Sequence, residues 1–245
     1  MSRIALISDI HANQPALEAV LRDIEQLQCS AIYCLGDIVG YNANPVECLE
    51  LVKGLQIPTV RGNHDEEAIS DDNPQYMNPV AYSALMWTRS QLNEDHKKYL
   101  RRAPFQRIQP NGVVLVHATQ DKPNSWAYVT NCDLATHSLN MLVEGRFLCF
   151  NGHTHVPRAF IQHDGAVHEY ELGDIPLYKE FKYLINVGSV GQPRDGDIRA
   201  SYGILDEDTM TFYHRRIEYD IAETQRRIIN AGLPEMLATR LSAGI

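Results

Sequence analysis

No stretch of this chain approaches the ~18 consecutive apolar residues that a membrane-spanning helix requires, so no membrane partner is expected. No secretory leader is expected either: a single Arg3 precedes the run Ile4–Ile7, and the chain then meets Asp9, too short and too acidic for that purpose. Cysteine is sparse. Cys29, Cys34, Cys48, Cys132 and Cys149 are odd in number and contain no C-x-x-C pair, which argues against a disulfide framework and for reduced, mostly buried thiols in a cytoplasmic protein. There is no basic stripe: 22 Lys and Arg face 31 Asp and Glu, for a net charge of −9. The pairs Arg101-Arg102, Arg215-Arg216 and Arg226-Arg227 read as solvated faces, so no stable nucleic-acid complex is expected. An anionic small substrate stays open, because bound divalent cations invert the local potential. Repeats, low-complexity tracts and a convincing linker are lacking as well.

What remains is ordinary globular material. The 245 residues are 44% hydrophobic and 22% charged, enough for a full core. They read as one domain over 1–245. Ile4–Ile7 reads as a strand and Pro15–Leu27 as a helix, with Leu17, Val20, Leu21, Ile24 and Leu27 at three-to-four spacing and Pro15 in the first turn. Strand Ala31–Leu35, helix Pro45–Lys53 and strand Ile57–Val60 follow. This alternation implies an α/β fold with parallel pairing. A helical insertion is expected over about 66–110, with Asn78-Pro79 as a start and Pro104 as a stop; it reads equally as a lid or as a surface pair. Val113–Val116 and Phe147–Phe150 resume short strands, with a helix near Asp133–Glu144 between them. Arg158–Gln162, Ala166–Tyr170, Tyr183–Asn186, Ser201–Asp206 and Thr211–Arg215 suggest an antiparallel second sheet. A last helix covers about Ile221–Ala231, ended by Gly232 and Pro234.

The chemistry lies where these strands end. Asp9 and His11 form D-x-H, Asp37 sits in GDIVG, Asn63 and His64 in GNHD, His117 follows VVLV, and His153 and His155 form GHTH. Loops at the carboxyl ends of strands are where α/β sheets assemble sites. Taken singly, each cluster is more often a turn or a cap than a ligand. Asn63 after Gly62 suits a turn, and His117 suits a core. Together they place five of the ten histidines at strand ends, three clusters being tied to Gly36, Gly62 and Gly152. Carboxylate, imidazole and one amide oxygen suit two divalent transition ions, Mn, Fe, Zn or Ni, rather than Ca or Mg. Without cysteine the set is unlike a structural zinc site. A shared Asp37 would bridge ions ~3.5–4 Å apart, generating hydroxide near neutral pH and clamping a phosphoryl group for in-line displacement. No Ser or Cys has nucleophile–base spacing, which favours the water route.

These motifs, in this order, resemble the calcineurin-like metallophosphoesterase superfamily over nearly the whole chain. SDIHAN, GDIVGYNANP, RGNHD and NVGSVGQPRDGD are similar to its small bacterial and archaeal phosphodiesterase-like branch. The resemblance implies a four-layer α/β/β/α sandwich of two mixed sheets flanked by helices. It implies that Asp9, His11, Asp37 and His155 hold one ion, and Asp37, Asn63, His117 and His153 the other, with manganese favoured. It also implies a catalytic His64, which would protonate the leaving alkoxide or stabilise phosphoryl charge, oriented by Asp65. Relatives sometimes carry Cys or an apolar residue there, so His64 favours hydrolysis. Near relatives often have Asn-Pro-Gly-Ser where this chain has Asn186-Val187-Gly188-Ser189, which alters the loop before Arg194. Arg194 is a candidate phosphate contact, with Arg61 and Tyr41 as further pocket residues.

The resulting expectation is a metal-dependent phosphoesterase with a small phosphoester substrate, phosphodiesters favoured. The alternatives are a nucleotide-polyphosphate or protein phosphatase, a non-catalytic metal-binding interaction module of the same fold, and a metal sensor. Residues 66–110, where specificity would lie, carry no motif that names a substrate. Nothing in the sequence sets an oligomeric state.

Overall fold

The computed structural model describes residues 2–245 apart from Asn73, Gln75, Tyr76 and Glu144. In chain order the elements are β1 Arg3–Ile7, α1 Gln14–Gln26, β2 Ala31–Cys34, α2 Pro45–Gly54, α3 Asn63–Ile69, α4 Pro79–Gln91, α5 Glu94–Arg102, β3 Gln106–Ile108 and β4 Val114–Val116. They continue as α6 Cys132–Asn140, β5 Leu148–Asn151, β6 Arg158–His163, β7 Ala166–Glu171, β8 Ile175–Pro176, β9 Lys182–Asn186, β10 Ala200–Asp206, β11 Thr211–Ile217, α7 Ile221–Asn230, α8 Glu235–Thr239 and a 3-10 turn Arg240–Ser242. Local chemistry sets the helix starts. Asn13 accepts from Ala16 N at 3.2 Å, Asn78 from Val80 N at 2.9 Å and Asn93 from His96 N at 2.9 Å, each satisfying an orphan donor.

Two mixed sheets form, in the orders β2-β1-β10-β11-β8 and β3-β4-β5-β9-β6-β7. Strand alternation assigns side chains to layers. Ile4 and Leu6 face inward with Leu115, Leu148, Phe150, Ile185 and Phe212, between the sheets. Ala5 and Ile7 face outward and pack under α1 and α2 with Leu17, Val20 and Leu49. On the far side Val114, Val116, Cys149 and Leu184 meet Ala135 and Leu139 of α6. The molecule is therefore an α/β/β/α sandwich.

Three expectations need correction. Ile57–Val60 is not a strand and pairs through one isolated bridge, Cys34 to Thr59; Pro58 has no N–H to donate to a ladder. The strands after GHTH do not make a separate antiparallel sheet. β6, β7 and β9 join β4 and β5, with β9 parallel to β5, while β10 returns to pair antiparallel with β1. The helix expected to reach Glu144 stops at Asn140, and Glu144 itself lies outside the described residues. The strand β3, paired antiparallel with β4, had no expectation at all. Part of the helical stretch expected over 66–110 also falls on undescribed positions, Asn73, Gln75 and Tyr76.

β1 runs parallel to β2, and β4, β5 and β9 run parallel to one another. The carboxyl ends of β1, β2, β4 and β5 feed the loops that carry every predicted ligand except Asn63, which opens α3.

Candidate metal centre

The loop after β1 bears Asp9 and His11, that after β2 bears Asp37, α3 opens with Asn63, His117 follows β4, and His153 and His155 follow β5. These loops are tightly wound. Asp9, His11, Asp37, His153 and His155 all hold positive φ, between 46° and 69°. Left-handed backbone is costly for side chains other than glycine and collects at functional sites. Two glycines permit the approach: a Cβ on Gly62 would sit 2.1 Å from Asp37 Oδ1, and one on Gly152 would sit 1.9 Å from Ser8 Oγ.

Each carboxylate is held by one oxygen and presents the other. Asp9 Oδ2 accepts from Ser8 Oγ at 2.6 Å and from His153 N at 3.0 Å. Its Oδ1 is buried without a hydrogen-bond partner, 3.2 Å from His155 Nε2 and 3.7 Å from His11 Nε2. Asp37 Oδ1 accepts from His64 N at 2.8 Å, leaving Oδ2 3.2 Å from His117 Nε2 and 3.6 Å from His11 Nε2.

The imidazoles follow the same plan. A carbonyl oxygen can only accept, so the nitrogen facing it carries the proton. His11 Nδ1 donates to Val39 O at 3.1 Å, His117 Nδ1 to Leu35 O at 2.8 Å and His155 Nδ1 to Gln192 O at 2.6 Å. His153 is reversed, with Nε2 donating to Trp126 O at 2.9 Å and Nδ1 3.2 Å from His117 Nε2. Every second nitrogen turns toward the carboxylates. Nε2 of His11 and His155 lie 3.0 Å apart, an arrangement of two acceptors that a cation between them would reconcile. Such carbonyl partners orient metal-binding histidines. Asn63 Oδ1 lies 3.2 Å from His117 Nε2.

Charge tells the same story. Burial would raise the Asp9 and Asp37 carboxyls, yet His155, His11 and His117 around Asp9, and His117, His64 and His11 around Asp37, hold both far below their usual range. Burial opposes charge on His117, but Asp37 pushes it up to about 9. Burial pushes His153 down to about 4 and His155 down to about 3. The two carboxylates thus draw positive charge strongly into a dry site. Ligand atoms lie within 4.8 Å of one another in three groups: Asp9, His11 and His155; His11, Asp37 and His64; and Asp37, His117 and His153. The orphaned Asp9 oxygen and the mixed N and O donors fit a first-row metal ion.

A calcineurin-like phosphoesterase superfamily domain matches residues 2–210. The chain belongs to this superfamily. It is 39% identical to an uncharacterised protein of Methanocaldococcus jannaschii over 246 residues, 99% of this chain and 98% of that one. A crystallised metallophosphoesterase from Sphaerobacter thermophilus is 42% identical, with a TM-score of 0.88, and the match covers 100% of this chain and 99% of that one. A hypothetical protein of Pyrococcus horikoshii OT3 shares the fold at 22% identity and a TM-score of 0.81, over 100% of this chain and 99% of that one.

Other predicted residues of this calcineurin-like superfamily member take distinct places. His64 packs against Tyr41 and His11, with ring centroids 4.4 and 4.9 Å apart. Its Nδ1 is buried without a partner, and burial pushes its pKa down to about 3. Asp65 does not orient it, which corrects the expectation. The two are consecutive at the start of a helix, where i and i+1 side chains do not face each other. Asp65 instead accepts the N–H groups of Asp37 at 2.8 Å, Ile38 at 2.9 Å, Val39 at 3.3 Å and Gly62 at 3.2 Å. Arg61 is also engaged elsewhere. It donates to Glu66 Oε2 at 2.7 Å, Ala103 O at 3.1 Å and Arg101 O, tying the end of α5 to the GNHD loop. Arg194 does reach the site, its guanidinium carbon 5.6 Å from the Tyr41 ring centre.

The calcineurin-like centre also uses residues that carry no motif. Trp126, at φ 57°, supplies the carbonyl for His153, and Tyr128 stacks on the His153 ring at 4.2 Å. The only sequence signal was a pair of aromatics inside the polar loop 121–131. A cavity of about 710 Å³ beside Arg146, Phe147, Lys179 and Lys182 shares no residue with the centre.

Proposed function

We propose that the protein is a hydrolase that cleaves phosphoesters, phosphodiesters in preference, at a dinuclear metal centre. One observation carries this reading: Asp37 Oδ2 lies 3.6 Å from His11 Nε2 and 3.2 Å from His117 Nε2, and so joins two ligand groups. Asp9, His11, Asp37 and His155 would hold one ion; Asp37, Asn63, His117 and His153 the other. Two divalent ions held there, manganese favoured, would supply a hydroxide nucleophile near neutral pH and neutralise phosphoryl charge.

The chain's own groups supply the rest. His64, kept neutral by burial, gives a hydrogen bond to the leaving oxygen or to the phosphoryl oxygens. Arg194, beside the Tyr41 ring, offers its fork of donors to a phosphate oxygen of the substrate. Asp65 keeps the GDIVG and GNHD loops in register. The phosphodiester preference follows the motif resemblance. A single domain acting on a small phosphoester in the cytoplasm belongs to the same proposal. No helix among the described residues is long and apolar enough to cross a membrane.

The test is hydrolysis of bis(p-nitrophenyl) phosphate beside p-nitrophenyl phosphate, by protein stripped of metal and reloaded with Mn²⁺. Diester cleavage that exceeds monoester cleavage and vanishes on chelation is the expected result. Failure to cleave either ester with metal bound would sink the hydrolase reading.

A further inference from the structure

The superfamily match ends at residue 210, yet the carboxyl-terminal helices reach Tyr41, the ring beside His11 and His64. Leu237, Ala238 and Leu241 share a small core with Ile228, Leu233 and Ala84, and Tyr41 and Ala43 pack against it. This seats α8 and the turn Arg240–Ser242 on the loop that follows GDIVG. The same turn is tied to the Arg194 loop, since Gly196 N donates to Gly244 O at 3.0 Å. Arg240 arrives with its guanidinium carbon 6.0 Å from the Tyr41 ring centre, and that of Arg194 lies 5.6 Å from the same centre.

Two cations over one ring repel unless an anion joins them. Burial and the Arg194 charge both lower the Arg240 pKa, and the opposing influence comes from Tyr41 rather than from any Asp or Glu. Arg240 spends Nε on the main-chain oxygen of Ile245 at 2.6 Å. Arg194 donates to the neutral Gln192 Oε1 at 2.9 Å, and its Nε is buried without a partner. Among the described residues neither guanidinium pairs with an Asp or Glu, and such planar forks match phosphate oxygens. The Tyr41 ring lies 4.7 Å from the His11 ring and 4.4 Å from that of His64. One aromatic ring therefore separates the arginine pair from the reacting centre.

We infer that Arg194 and Arg240 form a subsite for a second phosphate, so that the preferred substrate is a phosphoester carrying another phosphate group close to the scissile one. The inference rests on the phosphoesterase reading and narrows its substrate class. Arg240 is a specificity residue here, supplied by a segment beyond the matched domain.

Calorimetric titration of the full-length, metal-loaded protein tests it, with thymidine 5′-monophosphate, thymidine 3′,5′-bisphosphate and thymidine 5′-diphosphate as probes. At least one doubly phosphorylated probe should bind about tenfold or more tightly than the monophosphate, the scale of charged hydrogen bonds. Arg240→Met should shrink that ratio to about twofold, and Arg240→Lys should restore part of it, with melting curves showing both variants folded. Equal affinity of all three probes, or an unchanged ratio in Arg240→Met, overturns the subsite. Binding of the monophosphate without preference defeats the subsite alone, whereas binding of no probe defeats the phosphoesterase reading along with it.

Discussion

His64 is held at a cost. A buried nitrogen without a hydrogen bond is worth about 1–3 kcal/mol of lost stability, and such groups survive mainly where function keeps them. Its backbone N–H positions Asp37, while its ring leans on Tyr41 beside the centre. Truncation removes the ring and keeps that backbone bond. His64→Ala is therefore expected to retain full metal content by elemental analysis and to lose about 10²–10⁴-fold in kcat. Turnover that survives with intact metals would remove His64 from the mechanism. The motif assigned His64 and Asp65 a shared task, but adjacency in a helix separated them.

The loop–helix unit formed by GDIVG and the start of α3 depends on one carboxylate. Asp65 gathers four N–H groups from two segments, although burial and Asp37 push its pKa up to about 7. Replacing it strands those donors in a dry interior. Asp65→Ala should cost about 2–4 kcal/mol, seen as a lower urea midpoint at unchanged slope. A large fall in kcat at wild-type stability would instead restore Asp65 to the chemistry. At this same scale the sequence was legible where periodicity was strong. Leu17, Val20 and Ile24 gave α1, and the unbroken apolar run Ile4–Ile7 gave β1. It was not legible at Ile57–Val60, whose apolar run resembles a strand while Pro58 denies it the ladder.

Across the whole molecule, the centre joins loops from both sheets: Asp9, His11 and Asp37 from one, His117, His153 and His155 from the other. Metal binding to the native state alone stabilises it by mass action, about 2.7 kcal/mol at a hundredfold excess over Kd. For a chain of this size that corresponds to roughly 5–10 °C. Scanning calorimetry should show Tm falling by that amount on chelation and returning with Mn²⁺. A Tm indifferent to chelator would contradict a cation-bound centre.

The identities and order of the candidate ligands were present in the sequence, because each cluster is short and sits directly after an apolar run. The helical and strand periods were present too, since each records a local pattern of burial. Only the tertiary structure decided which sheet β10 and β11 would join, because an alternating strand names a buried face and not its neighbour. It also decided the carbonyls of Val39, Leu35, Gln192 and Trp126 that turn each histidine, since a main-chain oxygen leaves no trace in residue identity. Arg61 and Arg240 exchanged importance for the same reason. Arg61 neighbours the GNHD motif but is spent on Glu66 and α5, while Arg240 lies far along the chain and is carried to Tyr41 by the packing of α8.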